Sequence, residues 1–179
     1  MNQASAISEL VVKLSKLLCE QNRTLATVES CTGGMVGAAI VEPDGASDVY
    51  LGGFVTYSNM TKQMTAGVSS ETLAQHGAVS SQVAIEMAKG GCAKLLATNS
   101  IAITGIAGSG GGSIDKPIGT VWICTATSTG SYDCRRFFFP NDGRTAIRQY
   151  ALGASLKMCI EQLTGDYHKL EHECERLTA

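Results

Sequence analysis

The segment 24–42, TLATVESCTGGMVGAAIVE, constrains the fold most, because its pattern changes in the middle. Residues 24–29 are short and β-branched and read as a strand. The pair Gly33-Gly34 lets the backbone turn tightly, and MVGAAIVE after it reads as a helix that Pro43-Asp44-Gly45 ends. A strand that turns directly into a helix belongs to a layered α/β domain.

The rest of the chain repeats the alternation. Ile7, Leu10, Val11, Leu14, Leu17 and Leu18 form one face of an amphipathic helix over 4–22. A second strand is expected over 50–58, with Gly52-Gly53 marking a bulge or a close approach. Residues 59–65 read as a polar connector holding about one helical turn. Ser69 or Ser70 caps a short helix through Gln75, and Ser80 caps a longer one carrying Ala84, Met87, Ala88, Cys92, Leu95 and Leu96 in helical period. Residues 100–104 read as a buried strand, and 120–127 with 132–139 as a hairpin across 128–130. Ile147, Tyr150, Ala151, Ala154 and Met158 mark a last helix over 142–163, for which Asn141 or Asp142 is the expected N-cap. The expectation is a three-layer α/β/α sandwich with a mixed, mostly parallel sheet, one domain over 1–165 and a polar tail over 166–179.

Composition excludes several classes. Hydrophobic residues are 44% and charged residues 17% of the 179, so the chain is neither disordered nor a coiled coil. A net charge of −2 gives no general pull on nucleic acid or anionic membrane, and Arg135-Arg136 is a lone basic pair. Aromatics at 6% are too few for a base-stacking platform. Seven cysteines without a CxxC pair point to free thiols in a reducing compartment. The start, MNQASAISELVVKL, lacks the basic and apolar regions of a signal peptide, and no apolar run is long enough to span a bilayer. The expectation is a cytoplasmic protein with no nucleic-acid or membrane partner. A homo-oligomer, with a dimer first, is expected on the base rate for soluble proteins that assemble.

Candidate chemistry falls in five places. Ser30 stands at the end of a strand and before a helix, where the amides of Thr32, Gly33 and Gly34 could hold an anion. The plainer reading is a helix-capping serine. Cys31 beside it is a rival nucleophile, although such a cysteine is more often a small buried residue, and His76, His168 and His172 have no suggestive setting. Tyr57 ends a strand and Lys62 follows five residues later; a serine nucleophile can use a lysine as its base if that lysine is desolvated, whereas a lone loop lysine is ordinarily solvated. Residues 105–119, GIAGSGGGSIDKPIG, match neither a Walker nor a dinucleotide motif. Such a loop could wrap a phosphate with its amides or simply be a surface loop. Thr104, at the strand end before Gly105, is well placed for a ligand. Arg144 falls in the first turn of the last helix, where the dipole disfavours a cation, so it calls for an anionic ligand or a carboxylate partner. His168, His172 and Cys174 have metal-ligand side chains but sit in a polar terminal segment, and no metal or cofactor is expected.

VESCTGG at 28–34, GGFVTYSNMTKQ at 52–63 and ITGIAGSGGGSIDKPIGTVWI at 103–123 resemble, in combination and order, the C-terminal domain of the competence/damage-inducible CinA family. The resemblance runs over about residues 7–163 and is to the form that stands alone as a nicotinamide-nucleotide amidase. Ser109 departs from it, standing where the family commonly has proline. The resemblance implies metal-free hydrolysis of nicotinamide mononucleotide to nicotinate mononucleotide and ammonia. It implies Ser30 as nucleophile, Lys62 and Tyr57 as base partners, and Thr104 and Arg144 as further polar positions of the pocket. Amides near Thr32–Gly34 would hold the oxyanion. A catalytically silent nucleotide-binding module is the competing reading.

Overall fold

The computed structural model describes residues 3–108, 110–167 and 173–178. Ser109, His168 and His172, with the side chain of Cys174, lie outside the described residues. Among the described residues six α-helices and six strands follow one another, with a short 3-10 turn at Ala46–Asp48 before the second strand. They are α1 (Gln3–Glu20), β1 (Leu25–Glu29), α2 (Met35–Ile40), β2 (Tyr50–Val55), α3 (Asn59–Ala66), α4 (Ser70–His76), α5 (Ser81–Leu95), β3 (Asn99–Gly105), β4 (Thr120–Thr127), β5 (Tyr132–Phe138), α6 (Arg144–Thr164) and β6 (Glu173–Thr178).

The strands form one sheet in the order β2-β1-β3-β4-β5-β6. The chain steps from β1 outward to β2, then back across β1 to β3, and both pairings are parallel. Right-handed crossovers in opposite directions put their helices on opposite faces. Accordingly Val36 and Ile40 of α2 share one core with Val11, Leu14 and Leu18 of α1 and Ile147, Leu156 and Cys159 of α6. Ala66 of α3 and Val83, Ala84 and Met87 of α5 share the other with Val28, Ala102 and Trp122. The three-layer arrangement expected from the alternation is thereby formed.

The sheet is mixed, but not mostly parallel. Of five pairings two are parallel, and β3–β4, β4–β5 and β5–β6 are antiparallel. The reason is that no described residue of 106–119 is helical: without a crossover over the sheet, β4 runs back beside β3. The polar segment after Gly165 also yields a strand, β6, laid along β5 from Asp133↔Thr178 to Phe137↔Glu173. Its backbone ladder specifies it, which a polar composition does not advertise.

Two smaller differences bear on the site. The connector after β2 is a full helix, α3, because Ser58 and Thr61 form a reciprocal capping box at its start. Helix α6 begins at Gly143 with no side-chain cap. Asp142 does not cap it and instead accepts a hydrogen bond from the Tyr150 hydroxyl at 2.8 Å. The close approach expected at Gly52-Gly53 is real: a Cβ on Gly53 would overlap Thr27 and the Tyr50 hydroxyl. The Thr27 and Tyr50 hydroxyls are hydrogen-bonded to each other at 2.7 Å.

Residues Glu29, Val55 and Ile103 are in register across the three parallel strands. Ser30, Thr56 and Thr104 therefore stand side by side at the carboxyl ends of these strands, where α/β sheets bind ligands.

Candidate active site

Ser30 continues the β1–β3 ladder, its N–H donating to Ile103 O at 2.9 Å, before the chain turns. Gly33 and Gly34 make the turn at φ +63° and +94°, conformations that glycine enters without a Cβ clash. The turn is fixed from below by Glu29. Its carboxylate accepts the N–H groups of Gly34 at 3.0 Å, Val36 at 3.1 Å and Gly37 at 2.8 Å.

Lys62 reaches the serine from α3. The capping box starts that helix, and the Lys62 N–H bonds Ser58 O, so the residue lies in the first turn. Its side chain runs inward and is 1% exposed. The amine donates to Thr56 O at 2.7 Å and to Ser30 Oγ at 3.1 Å. Burial pulls its pKa below the ordinary lysine value, with the Cys31 thiol as the smaller, opposing influence. The positive end of α3 disfavours the charged amine further. A neutral amine on that 3.1 Å line can accept the serine proton. The solvated-lysine alternative is excluded by this burial.

The pair opens on a cavity of about 290 Å³. Ser30, Cys31, Tyr57 and Lys62 form one side, Ala78, Val79 and Thr104 another, and Gly105–Gly108, Gly110, Gly111 and Arg144 the rest. Thr104 donates its hydroxyl proton to Ala78 O at 2.7 Å, which leaves its lone pairs toward a ligand. Arg144 is exposed at the rim and forms no ion pair among the described residues. Gly108 lies against its guanidinium, where any Cβ would overlap. Tyr57 is also on the rim, 67% exposed, and makes no hydrogen bond within the described residues.

Thr32, Gly33 and Gly34 are not brought to the cavity. The Gly33 N–H closes a turn onto Ser30 O at 3.1 Å and the Gly34 N–H is held by Glu29. Those two amides are engaged within the turn, which corrects the oxyanion expectation for Gly33 and Gly34. Cys31 lines the cavity, but burial pushes its thiol up to about 12, with its own amide and Lys62 pulling only partly the other way. Such a thiol is not a thiolate at neutral pH.

Sequence reasoning missed Glu29 as an anchor, Thr56 as the acceptor for Lys62, and Arg148. Arg148 stands one turn after Arg144 and donates through Nη2 to Thr32 O at 2.6 Å. The i, i+4 spacing of two arginines was a readable signal. The backbone role of Thr56 had none. No group of metal-ligating side chains occurs among the described residues.

The model of the CinA C-terminal domain matches residues 7–163. This chain belongs to the CinA C-terminal domain family. Among members of that family, the nicotinamide-nucleotide amidohydrolase PncC of Escherichia coli K12 is 43% identical over 158 residues, covering 88% of this chain and 95% of the relative. A CinA-like protein of Leptospira biflexa is 42% identical over 142 residues, which is 34% of that longer protein. The crystal structure of the competence/damage inducible protein CihA from Agrobacterium tumefaciens superposes with a TM-score of 0.86 at 39% identity, covering 89% of this chain and 96% of that one. A CinA superfamily protein of Klebsiella pneumoniae gives 0.85 at 32% identity, covering 92% and 99%. The CinA fold is thus shared over nearly the full length of single-domain relatives.

Proposed function

We propose that this CinA-family domain hydrolyses the carboxamide of nicotinamide mononucleotide to give nicotinate mononucleotide and ammonia. The observation that carries the reading is the buried Lys62 amine 3.1 Å from Ser30 Oγ at the floor of an open cavity. Its agreement with the amidohydrolase name of a relative 43% identical supports the substrate.

Ser30 Oγ attacks the carboxamide carbon as its proton passes to Lys62. The donors assigned to the tetrahedral oxyanion are backbone amides of the cavity lining, where Cys31 directly follows the nucleophile and Ala107 and Gly108 also line the cavity. Lys62 returns the proton to the leaving nitrogen and ammonia departs, leaving an ester on Ser30. Lys62 then takes a proton from water, the hydroxide adds to the ester carbonyl, and Ser30 leaves with that proton. Thr104 and Arg144 hold the polar end of the nucleotide, with the guanidinium suited to its phosphate. Tyr57 presents its ring at the rim, and Lys62 acts on Ser30 directly.

The six described cysteines are free thiols, and no described helix is long and apolar enough to cross a membrane, which supports a cytoplasmic assignment. Self-association fits the β2 edge. Residues 49–61 carry no charge, and Leu51, Val55, Met60 and Met64 are exposed. An uncharged surface offers nothing to a charged partner and matches a second copy of itself.

The test is ammonia release from nicotinamide mononucleotide by the wild type and Ser30→Ala. Release that is lost in the variant is expected. Release that survives Ser30→Ala moves the nucleophile to Cys31, and binding without release from the wild type leaves a nucleotide-binding module.

A further inference from the structure

Glu29 is 1% exposed and no lysine or arginine pairs with it among the described residues. A buried carboxylate costs free energy unless its lone pairs are filled. Here three backbone amides fill them, those of Gly34 and Val36 on Oε2 and that of Gly37 on Oε1. All three amides lie in the turn and first residues after Ser30, so the carboxylate fixes the path by which the chain leaves the nucleophile. The main chain of the same residue acts on the other reacting group. Glu29 O accepts the Thr56 N–H at 2.7 Å and the Thr56 hydroxyl at 3.3 Å. Thr56 O in turn accepts the Lys62 amine at 2.7 Å. One residue thus holds the turn that follows Ser30 through its carboxylate and, through its carbonyl and Thr56, the acceptor of the Lys62 amine. Gly34 at the N-cap position contributes no side chain, so Glu29 caps the Val36 and Gly37 amides of α2 from the strand that ends on the nucleophile, which ties the helix start to Ser30.

We infer that Glu29 is a positioning residue that registers the Ser30 hydroxyl against the Lys62 amine. The inference rests on Ser30 and Lys62 being the reacting pair. Glu29→Gln keeps the volume but turns an NH₂ group toward amides that need an acceptor. Glu29→Asp keeps the carboxylate and withdraws it by one methylene. In folded Glu29→Gln, kcat falls by about 10²-fold while KM stays within about threefold, as for a displaced but intact site. Labelling of Ser30 by a sulfonyl fluoride slows in parallel, and nicotinate mononucleotide still binds in calorimetry. Glu29→Asp recovers part of both rates. A folded Glu29→Gln with wild-type kcat and labelling rate overturns the inference. So does failure of both variants to fold, which assigns Glu29 to the fold alone. The labelling arm uses no amide substrate, so a wild type inactive on nicotinamide mononucleotide yet labelled faster than Glu29→Gln sinks the substrate reading and not this one.

Discussion

Lys62 places an amine where the fold would prefer a hydrocarbon. Burial lowers its folded-state pKa, while in the unfolded chain it titrates near 10.4. Between those two values the unfolded state binds the extra proton, so the stability of the protein rises with pH in that window. Below the folded pKa the cost is constant and at its largest. Lys62→Met removes it, so its melting temperature relative to the wild type is expected to improve progressively as pH falls from about 10.4 and then to level off. The same variant loses about 10²–10⁴-fold in kcat. Lys62→Arg keeps a cation and a donor but cannot accept a proton, and is expected to be inactive at every pH. With Lys62 as the base, the wild-type rate is expected to rise with pH through the lowered pKa and to reach its plateau below the ordinary lysine range. Calorimetry and a pH–rate profile check both statements; an active Lys62→Arg would remove the base assignment.

Helix α3 is the element that delivers this amine, and its start is held by a few polar contacts. The Thr61 N–H donates to Ser58 Oγ at 3.1 Å and the Ser58 N–H donates to Thr61 Oγ1 at 3.2 Å. Losing such a cap costs about 1 kcal/mol. Ser58→Ala is therefore expected to lower the melting temperature by about 2–4 °C in a domain of this size. Because Lys62 lies in that first turn, kcat is expected to fall several-fold with KM unchanged. A thermal melt and steady-state kinetics on the one variant read both. An unchanged kcat beside a lowered melting temperature would mean that the Thr56 carbonyl alone fixes the amine.

Across the whole molecule, the two sheet edges are treated differently. The β5 side is extended by β6. On the other side β2 pairs only with β1 among the described residues, without the lysine or proline that usually blunts an exposed edge. Its exposed Leu51 and Val55 continue through Tyr57 at the cavity rim toward Met60 and Met64 on α3. A dimer closed on this edge would also shield the mouth of the site. Leu51→Lys is expected to convert a dimer to a monomer in sedimentation at micromolar concentration. A monomeric wild type would sink the self-association.

Most elements were legible because each carries its burial in its own period. The alternation around 24–42, the glycine turn after Ser30 and the cap before Val83 are local statements, and local statements survive folding. The Gly105–Gly119 loop was legible as a loop, but not the antiparallel return of β4 that it causes. The site was legible only as a set of residue types. Ser30 and Lys62 meet because β1 and β2 lie side by side with Glu29 opposite Val55, a register that neither strand specifies alone. That register presents Thr56 O to the amine and buries it, and so lowers the pKa of an otherwise ordinary lysine. The amides of Gly33 and Gly34 looked free in the sequence and are spent in the structure, because a backbone donor has no sequence signature of its partner. The chain thus determined its elements and its reactive groups. Only the tertiary structure decided which group faces which, since pairing between distant segments depends on strand register and on the backbone partners it brings together.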